Sequence, residues 1–160
     1  MAIQRIVVAT DGSATAQAAV AWAAELAAPL GAAVVVISVI DYVHLYPSAM
    51  YFPADDTEMR ERLDADLGGA WSEPMRHAGI KFRTLVREGS PGAVIVETAA
   101  AEKADLIIMG SRGHGRLSEF VLGSVAHRVT HHARTPVVIV PPSAGAVAQS
   151  ADAVTSATAH

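Results

Sequence analysis

The stretch Gly110-Ser111-Arg112-Gly113-His114-Gly115-Arg116, followed after six intervening residues by Gly123-Ser124-Val125, holds the residues of this chain best suited to binding an anion. Glycine allows positive φ and close backbone approach, so that several amide N–H groups can converge on one charge. Gly123-Ser124 then opens a helix, whose first N–H groups have no helical partner and whose dipole end is positive. Ser124 adds a hydroxyl donor, and Arg112, His114 and Arg116 raise the local potential. This chemistry suits a polyanion, with the helix start as a phosphate seat. On the residues alone a second reading stays open, in which the glycines only turn the chain and close a helix onto a sheet. Two known phosphate motifs do not fit: no Gly-Lys-Ser/Thr follows, and the stretch comes after the fourth predicted strand instead of the first.

Other reactive types are weaker. His127 and His131 stand four apart on a predicted helix, a spacing that binds zinc only when a third ligand converges, and position 128 is Arg, which breaks the zinc-protease pattern. Ser13, Ser111 and Ser118 lie outside any Gly-x-Ser-x-Gly elbow, so hydrolase chemistry is not expected. Glu25, Glu97 and Glu102 read as solvated helix faces. No catalytic residue and no metal ligand is assigned.

The elements that must position the glycines follow from apolar patterning. Five short β-branched runs, at about 4–10, 33–39, 81–87, 105–110 and 136–140, predict strands, and their lack of polar alternation is that of strands covered on both faces. Helices are predicted at about 14–29, capped by Asp11 or Ser13 and stopped by Pro29 and Gly31, and at about 57–78, with a kink or break at Gly68-Gly69 and Pro74. Two more are expected at about 91–103 and 124–133. Strand and helix alternate throughout, so right-handed crossovers make a doubly wound α/β fold the most economical topology: a five-stranded parallel sheet with helices on both faces, for which we choose the order 3-2-1-4-5. Its switch point lies between strands 1 and 4, at Asp11 and Gly110, where ligands of such sheets bind.

With 160 residues the chain is expected to form one domain over 1–142, with a disordered tail of Ala, Ser and Thr over 143–160. Cysteine is absent, which excludes disulfides and thiol catalysis and fits a reducing compartment; with no apparent leader, a cytoplasmic location is expected. The formal net charge of −4 argues against general nucleic-acid binding, and no apolar run approaches the roughly 20 residues of a membrane span. The loop at about 41–56 holds Tyr42, Tyr46 and Tyr51 with Phe52, and at the carboxyl edge of strand 2 it is a candidate lid over a bound ligand, a partner surface, or a loop that simply covers the second helix.

Gly110-x-x-Gly113, nine residues, then Gly123-Ser124 resembles the G-2x-G-9x-G-(S/T) signature of ATP-binding universal stress proteins, and the likeness extends to Ile6 through Ser13, Val36 through Asp41 and Thr135 through Val140. The resemblance implies that Ala9, Thr10 and Asp11 line the adenosine end, that Val39 touches adenine, and that Met109 and Gly110 sit by the ribose. It places the phosphates on Arg112, Gly113, Gly123, Ser124 and Val125, with Mg2+ or Mn2+ bound through the phosphates. Ala9 stands where the family often has proline, at a contact made mainly by backbone. The resemblance also implies a homodimer through the last strand, Val137-Val138-Ile139-Val140. The function it implies is a nucleotide-dependent sensor or regulator in stress response, with slow ATP hydrolysis left open. The alternatives are a dimeric interaction module with no nucleotide and a small ATP-using enzyme of the same fold.

Overall fold

In the computed structural model, which describes residues 2–45, 57–113 and 122–142, the strands are β1 (Arg5–Ala9), β2 (Ala33–Ile40), β3 (Phe82–Glu88), β4 (Leu106–Gly110) and β5 (Val137–Val140). All pair in parallel, in the order β3-β2-β1-β4-β5. The expected topology is borne out.

Strand alternation sends successive side chains to opposite faces. Ile6, Val8, Val34, Val36 and Ile108 pack beneath the first helix and the segment after β2, with Leu67 and Met75. Val7, Ala9, Val35, Ile37 and Met109 face the other side, against Ile95, Ala99, Ala126 and Val129. Both faces of β1 and β4 are therefore buried, which explains their unbroken apolar runs.

Helix α1 (Ala14–Leu30) presents Ala16, Ala19, Ala23, Ala24 and Ala27 to the sheet. These small side chains let its backbone lie close. Ser13 caps it, its Oγ accepting the Ala16 N–H at 3.4 Å, and Gly31, at φ 63°, ends it in the left-handed conformation that glycine adopts without strain. Pro29 does not stop the helix as expected. It lies in the last turn, where few bonds remain to be lost, and α1 runs on to Leu30.

A one-turn helix, α2 (Tyr42–Leu45), occupies the start of the segment read as loop; residues 46–56, with Tyr46, Tyr51 and Phe52, lie outside the described residues, as does the tail from 143. The helix expected over 57–78 divides into α3 (Thr57–Gly68), a 3-10 turn (Ala70–Ser72) and α4 (Glu73–His77). Glycine makes the break: a Cβ on Gly69 would lie 2.6 Å from the Ala65 carbonyl oxygen. Arg76 donates to the carbonyls of Gly68 and Gly69, and the buried Ser72 Oγ donates to that of Leu67, so carbonyls at the C-terminal end of α3 are satisfied. Pro74 falls in the first turn of α4, where its missing N–H costs nothing. Helices α5 (Pro91–Ala101) and α6 (Ser124–His132) cover the second face. Among the described residues no helix is long and apolar enough to cross a membrane.

Candidate functional site

The carboxyl ends of β1 and β4 lie side by side, in register from Ile6 with Leu106 to Ala9 with Met109. Beyond them the two chains part. Thr10 donates its N–H to Ile37 O on one side, and Ser111 donates its N–H to Val140 O on the other. This is the switch point. Ala9, Met109 and Val39 lie on the α5/α6 side of the sheet there, Thr10 is buried and Asp11 is exposed.

Local bonds aim Asp11. Its Oδ1 accepts the Ser13 N–H at 2.9 Å, a short Asx-type bond that leads into the cap of α1. Its Oδ2 lies 2.5 Å from the point a Cβ would occupy on Gly113, so the carboxylate and the bare glycine face each other across the switch point.

The glycines expected to bind phosphate have three different surroundings. A Cβ on Gly110 would meet the Thr15 carbonyl and the Ala16 nitrogen at 2.8–2.9 Å, so its bareness is required by α1. Gly113 is exposed and bounded by the Asp11 carboxylate. Gly123 is buried, and a Cβ there would come 3.3 Å from Arg112 Cα and Ser111 O. Its N–H donates to Ser111 O at 2.9 Å, which ties the start of α6 to the end of β4. Thr15 Oγ1 donates to Arg112 O at 2.5 Å and ties the same segment to α1. Residues 114–121, including His114, Gly115, Arg116 and Ser118, lie outside the described residues.

Helix α6 begins without a side-chain cap, so the N–H groups of its first turn are left to other acceptors. The Ser111 Oγ is buried and makes no hydrogen bond among the described residues. Such an atom calls for a partner. Both features suit an oxygen-rich anionic ligand; neither supplies the carboxylates or imidazoles of a dedicated metal site.

Four of the candidate site residues line two separate openings. Arg112 and Gly113 line one of about 220 Å³ against Ser13, Ala14 and Thr15. Ser124 and Val125 line one of about 620 Å³ between the starts of α5 and α6, the size of a small-molecule site. Sequence reasoning missed Thr15, and it missed Asp41, Ser90 and Arg128 in the larger opening. Ser90 and Asp41 were within reach, because both follow strands at the carboxyl edge where ligands of such sheets bind.

His127 and His131 stack with ring centroids 4.3 Å apart. Among the described residues no group of three or more His, Asp and Glu side chains could hold a metal. Glu102 is engaged structurally: it pairs with Arg83 at 2.5 Å, and this hydrogen bond draws its carboxyl below the ordinary range.

Residues 2–141 match the universal stress protein family. The chain belongs to that family. A universal stress protein of Methanocaldococcus jannaschii is 34% identical over 142 residues, covering 86% of this chain and 81% of the relative. A universal stress protein solved in complex with cAMP superimposes with a TM-score of 0.66 at 28% identity, over 89% of this chain and 100% of the other. The Archaeoglobus fulgidus universal stress protein in complex with dAMP gives 0.61 at 27%, over 88% and 99%. This universal stress protein thus shares its fold with relatives that hold adenine nucleotides.

Proposed function

We propose that this universal stress protein binds ATP across its switch point and acts as a nucleotide-dependent sensor or regulator. The observation that carries the reading is the bare Cα of Gly113 facing Asp11, with the uncapped start of α6 at Gly123-Ser124 beside it. In this reading Ala9, Thr10, Asp11 and Val39 take the adenosine, Met109 and Gly110 flank the ribose, and Arg112, Gly113, Gly123, Ser124 and Val125 take the phosphates. Mg2+ or Mn2+ would be held by the phosphates themselves, neutralising their charge. The orphaned Ser111 Oγ supports a polar ligand here, and the cAMP and dAMP held by two relatives support an adenine nucleotide. A homodimer through β5 belongs to the same proposal, as does a domain ending near residue 142.

The nucleotide recovered from freshly purified protein tests the reading, followed by calorimetric titration with ATP, ADP, AMP and cAMP. Adenine nucleotide is expected to co-purify, with ATP binding most tightly. No nucleotide in the preparation and no heat at millimolar ATP would end the ATP reading. Tighter binding of AMP or cAMP would move the ligand to the monophosphates of the two related complexes.

A further inference from the structure

The break after α3 brings a tryptophan to the switch point. Gly68-Gly69 interrupts the helical run, and the 3-10 turn that follows carries Trp71 between two fully buried anchors, Leu67 and Met75. The bonds from Ser72 Oγ to Leu67 O and from Arg76 to the carbonyls of Gly68 and Gly69 fix the backbone around it. Trp71 itself is half-buried, and its six-membered ring lies on Gly12. A Cβ built on that glycine would fall 2.2 Å from Cζ2, 2.6 Å from Cε2 and 2.9 Å from Cη2.

Gly12 stands at φ 79° in the turn from β1 to α1. Two local bonds shape the turn: the Gly12 N–H donates to Thr10 Oγ1 at 3.2 Å, and the Ser13 N–H donates to Asp11 Oδ1 at 2.9 Å. Glycine enters the left-handed region without strain, and for the same reason it leaves that region easily, so the turn needs a restraint from outside. The indole supplies it. On the other side of the turn Asp11 Oδ2 faces the bare Cα of Gly113. A fixed surface next to α3 thus bears on one side of the turn, and the candidate ligand site opens on the other.

We propose that Trp71 is a positioning residue of the switch-point site: its indole holds the turn that aims Asp11 at Gly113, and through it ligand binding is coupled to the packing of α3 and the 3-10 turn. That the ligand is ATP rests on the function proposed above. Without the indole the turn has to be ordered at the moment of binding, at a cost in affinity. Coupling is reciprocal, so a ligand that engages Asp11 also holds Trp71 against Gly12. Occupancy is thereby carried to α3, whose outer face, with Glu58, Glu61, Asp64 and Asp66, is exposed to a partner.

Trp22 is the other tryptophan, so in the full chain carrying Trp22→Phe the emission reports Trp71 alone. ATP is expected to reduce the quenching of Trp71 by acrylamide. Trp71→Ala is expected to weaken ATP binding about tenfold in calorimetry, and Trp71→Phe, which keeps a ring over Gly12, to restore most of the affinity. In the ligand-free chain, the amides of Asp11 and Gly12 should lose order in Trp71→Ala, read as a fall in heteronuclear NOE, while Gln4 and Arg5 at the opposite end of the sheet keep theirs. Wild-type ATP affinity in Trp71→Ala, or Trp71 quenching that ATP leaves unmoved, overturns the coupling and leaves the nucleotide reading standing. A wild-type chain that ignores ATP ends that reading instead, and the amide NOE then decides: lost order at Asp11 and Gly12 upholds the positioning, and unchanged order refutes it. Should Trp71→Ala fail to fold, the quenching of Trp71 in the Trp22→Phe chain decides by itself, and no response to ATP overturns the coupling.

Discussion

Trp71 lies over Gly12, and a Cβ on that glycine, at φ 79°, would fall 2.2 Å from the indole. Both the backbone conformation and the ring exclude a side chain, and the turn so fixed is the one that aims Asp11. Gly12→Ala should destabilise the fold by about 2–4 kcal/mol, from left-handed strain and overpacking together, measured by urea denaturation. An unchanged midpoint would show that the indole swings away freely. The glycines proposed to seat phosphate are not equivalent tests. Gly113→Val presses on the movable end of Asp11, so it should abolish ATP binding in calorimetry with little change in melting temperature. Gly123→Val presses on the backbone of Ser111 and Arg112 and should also cost about 1–3 kcal/mol in stability. Gly113→Val with full ATP affinity would remove that glycine from the site.

The strands that carry the site are fastened at their opposite ends. Asp105 Oδ2 accepts the N–H groups of Gln4 and Arg5 at 2.8 and 2.9 Å, so one carboxylate joins the entrance of β4 to that of β1. These backbone bonds hold the Asp105 carboxyl below its ordinary value of 3.8. A depressed carboxylate stabilises the fold above its unfolded pKa, and that contribution is lost as pH falls through the folded one. Asp105→Ala should therefore lower the denaturation midpoint at pH 6, and its difference from the wild type should shrink below about pH 4, on the acid side of that ordinary value. A difference constant down to pH 2 would mean that the carboxylate charge plays no part. Helix α1 is the other fastening, since it closes on Gly110. Gly110→Ala forces a methyl against the Thr15 carbonyl and should cost about 1–3 kcal/mol in thermal denaturation, where a surface glycine such as Gly68 would tolerate the same change.

At the scale of the whole molecule the sheet ends in β5, which pairs with β4 on one side. The carbonyls of Pro136 and Val140 accept from Ile107 and Ser111, so by strand alternation the amides of Val137 and Ile139 point away from β4. That apolar edge can pair with a second copy. Ile139→Pro removes an outward amide without breaking a bond to β4, and it should convert the proposed dimer to monomer in sedimentation. A dimer that survives with an intact fold would place the interface elsewhere. The fold was largely legible beforehand because each layer is written locally: β-branched runs such as Val34-Val35-Val36-Ile37 cannot alternate polarity when both faces are covered, and the alanines of α1 fit only a closely packed helix. The division of residues 57–78 at Gly68-Gly69 was also legible. The extension of α1 past Pro29 and the turn of α2 were not, because a single helical bond or turn at an element's end depends on what packs there.

Sequence by itself determined the alternation of strands and helices and the spacing from Gly110 to Ser124 that carries the likeness to the family. Those features are local patterns of burial and turn chemistry that survive without coordinates. Only the tertiary structure decided what each glycine faces: α1 at Gly110, the Asp11 carboxylate at Gly113, the returning backbone at Gly123, Trp71 at Gly12 and Arg128 at Gly92. A missing side chain is visible in a sequence, but the neighbour that requires its absence comes from a distant part of the chain, and only folding brings the two together.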